Sequence, residues 1–339
     1  MTAPAVPPLI SIRGLSKEFK LRRTRLFGPA PRVTAVEDVS FDIPAGSTFG
    51  LVGESGSGKS TVARMILKLE RPSAGEIVVG GKDVFAQSPA EEKEYRRMVQ
   101  AVLQDPYGAL SPRLKIKTIV AEPLLAQGVD RGAVVSQVPR LLDIVGLSAD
   151  AGERYPHQFS GGQRQRIAVA RALSVDPRFL VLDEPVSALD VSIRAQILTL
   201  LRDMQQRLGL TYLFIGHDLA VVKYISAIVG VMYFGRLVEI GPADDVLRRP
   251  LHPYTRRLVA VASMHQPVGH HRLTGELPNP LNPPPGCHFH TRCLYATAEC
   301  QAEAPPMRDA GNAHRIACHH YEAIEAGKKA ETGPLNAPA

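Results

Sequence analysis

The stretch Gly53-Glu54-Ser55-Gly56-Ser57-Gly58-Lys59-Ser60 fits the pattern G-x-x-x-x-G-K-[ST] at every position. It follows a short apolar run, STFGLVG at 47–53, and precedes TVARMILKLE, whose spacing is helical. Strand, glycine loop and helix open an α/β nucleotide-binding unit. Small residues let consecutive backbone N–H groups curl around phosphate oxygens, and the helix aims its positive end at the same charge. Residues 53–60, with Thr61 after them, are therefore the expected nucleotide contacts. Lys59 is expected to reach the β- and γ-phosphates, and the Ser60 hydroxyl to ligate Mg²⁺.

FLVLDEP at 179–185 is a buried strand that ends in two carboxylates. It delivers Asp183 to the Mg²⁺ shell and leaves Glu184 to orient and polarise an attacking water. TYLFIGHD at 211–218 is a further strand, and SIRAQILTLLRDMQQRL at 192–208 between them is an amphipathic helix. The chain begins with alternating strands, LISIRGLSKEF and TAVEDVSFDI. EIVVGGKDV at 76–84 reads as a hairpin, and AIVGVMYFGRLVEIG at 227–241 as a closing one before a short helix, DDVLRR.

Size and composition exclude some classes. The 339 residues allow two domains, or one large domain with an appendage. No apolar run approaches the roughly 20 residues of a membrane-spanning helix. The first residues lack the charged-then-apolar order of a secretory leader, so the chain reads as cytosolic. The formal charge of +7 is spread among acidic residues, which favours an ordinary surface over a nucleic-acid partner. The densest basic cluster, KLRRTRLFGPAPR at 20–32, reads as a solvated loop. No internal repeat occurs, so there is one cassette. The tail, 326–339, has the composition of a disordered segment.

Phe159-Ser160-Gly161-Gly162-Gln163 precedes a long helix, RQRIAVARAL. It closely resembles the LSGGQ signature of ATP-binding cassette (ABC) ATPases, with Phe for the leading Leu. The phosphate loop, this signature, Asp183-Glu184, Ser187-Ala188-Leu189-Asp190 and His217 occur in that family's order and spacing over residues 10–245. The resemblance implies an α/β fold, the P-loop NTPase ABC cassette. Its RecA-like mixed sheet core would span 1–104 and 166–250, with an antiparallel β part over 10–45 and a helical signature subdomain over 105–165. It also implies roles. Gln104 would sense Mg²⁺ and the attacking water, and His217 would contact the γ-phosphate. Asp190 would lie in the loop that crosses a dimer interface, and Phe19 would stack on adenine. Ser160, Gly161, Gly162 and Gln163 would close over ATP held by a partner's phosphate loop, so that turnover requires a dimer.

Two further stretches narrow the resemblance. Gln104-Asp105-Pro106-Tyr107-Gly108-Ala109-Leu110-Ser111-Pro112-Arg113 is similar to the QDPYxSLNPR stretch of peptide-importer ATPases, where a permease docks. His252-Pro253-Tyr254-Thr255 resembles the HPYT motif that opens their C-terminal extension. These imply the ATPase subunit of a dipeptide/oligopeptide importer, with 20–32 as an insertion after the first strand. They imply a peripheral protein on the cytoplasmic face of the plasma membrane. Its partners would be a second ABC ATPase subunit (a paralogue, by the family's habit), two membrane permease subunits and, indirectly, an extracytoplasmic peptide-binding protein. Nickel and glutathione importers share these features. The basic balance also keeps a nucleic-acid-associated ABC ATPase as an alternative from another class.

All four cysteines, Cys287, Cys293, Cys300 and Cys318, fall in the extension at 251–325. In a cytosolic chain this points away from disulfides. A [4Fe–4S] cluster on four thiolates is one reading. A zinc site, all-thiolate or shared with His288, His290, His319 or His320, is the second. Unligated thiols are the third. The wide, irregular spacing C-x5-C-x6-C-x17-C favours the cluster. A Pro-rich segment with little apolar content would use such a centre as a staple.

Overall fold

A computed structural model describes residues 7–20, 31–262 and 278–327. Most of the basic stretch at 20–32 and of the tail at 326–339 lies outside the described residues. Among those described, two sheets form the frame. The first is antiparallel, in the order Arg32–Pro44, Pro8–Lys20, Ala74–Val79 and Lys82–Asp83. The second has eight strands. Its order is Arg308–Asp309, Arg315–Ile316, Arg236–Pro242, Ile228–Tyr233, Thr48–Val52, Thr211–Ile215, Phe179–Asp183 and Val99–Val102. The last five of these run parallel, and the first three are antiparallel additions.

The parallel strands are apolar on both faces because both faces are covered. Side chains alternate along a strand. Phe179, Val181, Leu213 and Ile215 therefore join Ile10, Phe41, Ile77 and Ile66 in a core shared with the antiparallel sheet. Phe41 and Phe49 stack there, with centroids 4.3 Å apart. Leu180, Leu182, Tyr212 and Phe214 point the other way, into a core built with the helices. Those helices include Ile116–Ala126 and Arg131–Ile144 in the 105–165 segment, then Gly161–Leu173 and Val191–Leu208. The two hairpins read from the sequence form as Ala74–Val79 with Lys82–Asp83 and as Ile228–Tyr233 with Arg236–Pro242.

The C-terminal extension is not a separate bead. Its strand Arg315–Ile316 pairs with Glu239 and Ile240, which continues the main sheet. Phe289 is 1% exposed and joins the helix-side core. Its ring meets Tyr233 edge-on at 5.1 Å and Tyr254 at 5.4 Å. The extension thus has apolar anchoring of its own.

The HPYT stretch shows how the join is made. Glu239 is fully buried, and its carboxylate accepts hydrogen bonds from the backbone N–H groups of Leu251 (2.8 Å) and His252 (3.0 Å). His314 of the extension lies 2.8 Å from the same carboxylate. The His252 Nδ1 accepts the Tyr254 N–H at 3.0 Å, and Pro253 starts the helix Pro253–Ala262. Proline suits that first position, where no intrahelical donor is needed.

Candidate active site

Thr48–Val52, Phe179–Asp183 and Thr211–Ile215 are adjacent and parallel, so the loops after them open at one end of the sheet. This is where open α/β sheets place ligands. The first of these loops is the glycine loop. Gly53 has φ 152° and Gly58 has φ 104°. A Cβ on Gly53 would meet the Met232 carbonyl oxygen at 2.1 Å, and one on Gly58 the Ala35 carbonyl oxygen at 2.4 Å. The loop therefore has to be glycine at both places. Lys59 Nζ donates to the carbonyls of Gly53 and Glu54, at 2.8 Å each, and to Ser57 Oγ at 3.2 Å. Burial lowers the Lys59 pKa, while Glu184, Asp183 and Glu54 oppose that shift. The helix Lys59–Ile66 follows directly, and Thr61 N–H bonds the Gly58 carbonyl at 3.0 Å.

The second loop brings the carboxylates. Burial raises the Asp183 pKa, and a hydrogen bond with the Ser60 side chain pulls the other way. Glu184 has φ 47°, a left-handed backbone that a non-glycine residue adopts at a cost. Its carboxylate accepts from Gln104 Nε2 at 2.9 Å and lies 3.4 Å from His217 Nδ1. Gln104, Glu184 and His217 thus converge although they come from three separate strand ends. Gln104 follows Val99–Val102, a strand that the sequence reading missed.

The signature stands at the start of the helix Gly161–Leu173. Ser160 Oγ accepts the Gln163 N–H at 3.3 Å, and Gln163 Oε1 accepts the Ser160 N–H at 3.0 Å. This reciprocal capping fixes the helix start. Asp190 is the N-cap residue of Val191–Leu208, without a side-chain cap bond. Arg194, which sequence reasoning missed, donates to Asp218 at 2.8 Å and to the Leu189 carbonyl at 3.2 Å. It ties the Asp190 corner to the His217 loop. Phe19 is half-buried near the end of Pro8–Lys20, opposite Val33, with Lys17 Nζ 4.9 Å from its ring centre.

Glu54 has partners that the sequence did not disclose. Arg292 holds its carboxylate bidentately, at 2.9 and 3.2 Å, and the Glu54 N–H donates to Tyr254 Oη at 2.8 Å. Both partners belong to the extension. The only signal available was Glu54 itself, a negative charge in a loop built for anions, which calls for a counter-charge.

The four cysteines line one small space of ≈ 10 Å³, with His252 and His320 among its other walls. The Cys287 N–H donates to the Cys300 carbonyl at 2.8 Å, which brings two of the cysteine segments together. Burial pushes the thiols up, Cys287 to about 11 and Cys293 and Cys318 to about 12. Among the described residues, no three His, Cys, Asp or Glu side chains come together as a site for a metal ion. Neither the cluster nor the zinc expectation finds a formed site here. The four candidate histidines also have other partners: His288 with the Phe234 carbonyl, His290 with that of Cys287, His319 with that of Glu303, and His320 with Thr297.

Comparison with known proteins agrees with this geometry. The family described as ABC transporter matches residues 36–187, and the oligopeptide/dipeptide transporter C-terminal region matches 238–300. A Brucella ovis protein named as a peptide import ATP-binding protein is 48% identical over 315 residues, covering 92% of this chain and 97% of its own. The di/tripeptide transport ATP-binding protein DppF of Pseudomonas aeruginosa is 46% identical, covering 93% and 98%. The dimeric ABC transporter cassette MJ0796 superposes with a TM-score of 0.60 at 26% identity, covering 69% of this chain and 98% of that one. CbiO1 of Clostridium perfringens gives a TM-score of 0.62 at 25% identity, covering 72% and 92%. The fold is that of an ABC-type ATPase. The chain belongs to the ATP-binding subunits of the dipeptide/oligopeptide branch of the ABC transporter family.

Proposed function

We propose that this chain is a motor subunit that hydrolyses ATP to drive uptake of di- or oligopeptides through partner permeases. The convergence of Gln104 and His217 on the Glu184 carboxylate, beside the 53–60 loop, carries this reading. The near full-length similarity to proteins named for peptide import supports the cargo class. Residues Gly53 to Thr61 bind the phosphates, with Lys59 as the charged contact, and Phe19 stacks on adenine. Ser60, Asp183 and Gln104 would hold Mg²⁺, which neutralises phosphate charge when bound. Glu184 takes a proton from the attacking water, and His217 orients toward the γ-phosphate. The nest at Ser160–Gln163, together with Asp190, serves the site of a second ABC subunit, a paralogue. No single chain then completes a site.

A groove of ≈ 440 Å³ lined by Leu67, Leu69, Leu103, Gln104, Asp105 and Ala109 supports permease docking. Leu69 and Leu103 are exposed there, at 67% and 47%. Arg171 donates to the Ala109 carbonyl at 3.1 Å and pairs with Glu122 at 2.8 Å. The signature helix is therefore wired to the docking segment. The assembly sits on the cytoplasmic membrane face and receives peptide from an extracytoplasmic binding protein.

Glu184→Gln tests the reading. In the assembled transporter it should abolish turnover, and in the isolated ATPase subunits it should hold the pair closed on Mg-ATP, seen as a nucleotide-dependent rise in mass by light scattering. Hydrolysis at the parent rate would remove Glu184 from its role. Uptake of nickel or glutathione, and not of labelled dipeptide, by the parent complex would overturn the cargo.

We also infer a [4Fe–4S] cluster on Cys287, Cys293, Cys300 and Cys318. The four thiols line one pocket, and their wide, irregular spacing, C-x5-C-x6-C-x17-C, supports the cluster over a zinc site. Anaerobically purified protein should be brown and carry about four irons per chain. A colourless preparation with zinc, or with no metal, would defeat this.

A further inference from the structure

We propose that Arg292 and Tyr254, both from the C-terminal extension, are positioning residues for the phosphate loop and set its affinity for ATP. The inference rests on the 53–60 loop being the ATP phosphate site.

Glu54 is the second residue of that loop, and it is held at three points. Its N–H donates to Tyr254 Oη at 2.8 Å. Its carbonyl accepts from Lys59 Nζ at 2.8 Å. Its carboxylate is forked onto Arg292 at 2.9 and 3.2 Å. Two of the three holds come from outside the nucleotide core. The holders are themselves fixed. The Arg292 side chain is 4% exposed, its NH1 group donates to Tyr233 Oη at 3.3 Å, and its carbonyl accepts from Arg257 at 2.8 Å. Tyr254 is fully buried and packs against Phe289 and Tyr233. A planar guanidinium on a carboxylate gives a directional contact that lysine cannot reproduce in full.

Two effects follow. The first is geometric: the loop's N–H groups can cradle phosphate only while its first turn is held, and residue 54 is that turn. The second is electrostatic. Glu54 places a negative charge close enough to be felt at Lys59, and Arg292 neutralises it. Without Arg292, a bare carboxylate would stand beside incoming phosphates in a partly buried setting, where screening is weak.

The test uses the full chain with Glu184→Gln added to stop turnover, and titrates Mg-ATP by calorimetry. Arg292→Ala should weaken binding about tenfold or more, the scale of one lost charged hydrogen-bond pair. Arg292→Lys should recover part of that. Glu54→Gln added to Arg292→Ala should bind tighter than Arg292→Ala alone, because the uncompensated charge is gone. A purely structural arginine would not show that rescue. Tyr254→Phe removes only the hydroxyl, and it decides the matter should Arg292→Ala fail to give a cooperative melt. It should weaken binding several-fold. Arg292→Ala and Tyr254→Phe both within about twofold of the parent would overturn the proposal. Lys59→Ala runs alongside. Its loss of binding together with unchanged Arg292 and Tyr254 variants defeats only the positioning role, whereas binding retained by Lys59→Ala would place ATP elsewhere and remove the basis of both.

Discussion

Gly162 has no room for a side chain. A Cβ there would meet Ile193 Cγ2 at 2.3 Å, where the signature helix crosses Val191–Leu208. The glycine is a packing requirement as well as part of an N–H nest. Gly162→Ala should destabilise the chain by about 1–3 kcal/mol through overpacking, and Ile193→Ala should recover part of the loss. Thermal melts of the single and double variants check this; no recovery would mean that the contact is not the cause. At this scale the sequence was legible where a motif fixes several residue types together. Lys59 opens the helix after the glycine loop, and Asp183 ends its buried strand with Glu184 next in the chain. The partners of Glu54 were not legible, because Arg292 lies 238 residues away and no local pattern marks it.

Among the elements, the helix Pro253–Ala262 joins core to extension, and its start depends on a neutral histidine. His252 is 1% exposed, and burial lowers its pKa to about 4 against the opposing pull of the Glu239 carboxylate. The Tyr254 N–H needs an unprotonated Nδ1 to bond to. An unfolded chain takes up this proton near pH 6.5, while the folded chain refuses it until about pH 4. Stability therefore falls as pH drops through that window, by about 3 kcal/mol in all on the scale of 1.4 kcal/mol per unit. His252→Asn keeps an acceptor without the titration. Its melting temperature should decline less than the parent's between about pH 7 and about pH 5. Equal declines would clear His252 of the effect. The buried parallel strands and the long helix 191–208 were legible from apolar runs and helical spacing. Val99–Val102 was not, since four residues directly after a helix are too few to show a period.

In the whole molecule, the cassette architecture followed from motif order, but the manner of attachment of the extension did not. A Pro-rich, Cys-bearing segment reads as a patch held by a metal. The chain also threads Phe289 into the main core and adds Arg315–Ile316 to the main sheet, contacts between residues far apart in sequence. That added strand has another effect. Among the described residues, the eight-stranded sheet ends in a two-residue strand on one side, Arg308–Asp309, and a four-residue strand on the other, Val99–Val102. Such stubs offer few free donors and acceptors for another copy to zip onto. Open-ended stacking into fibres is thereby discouraged, and self-association is left to whatever faces the glycine loop and the signature present.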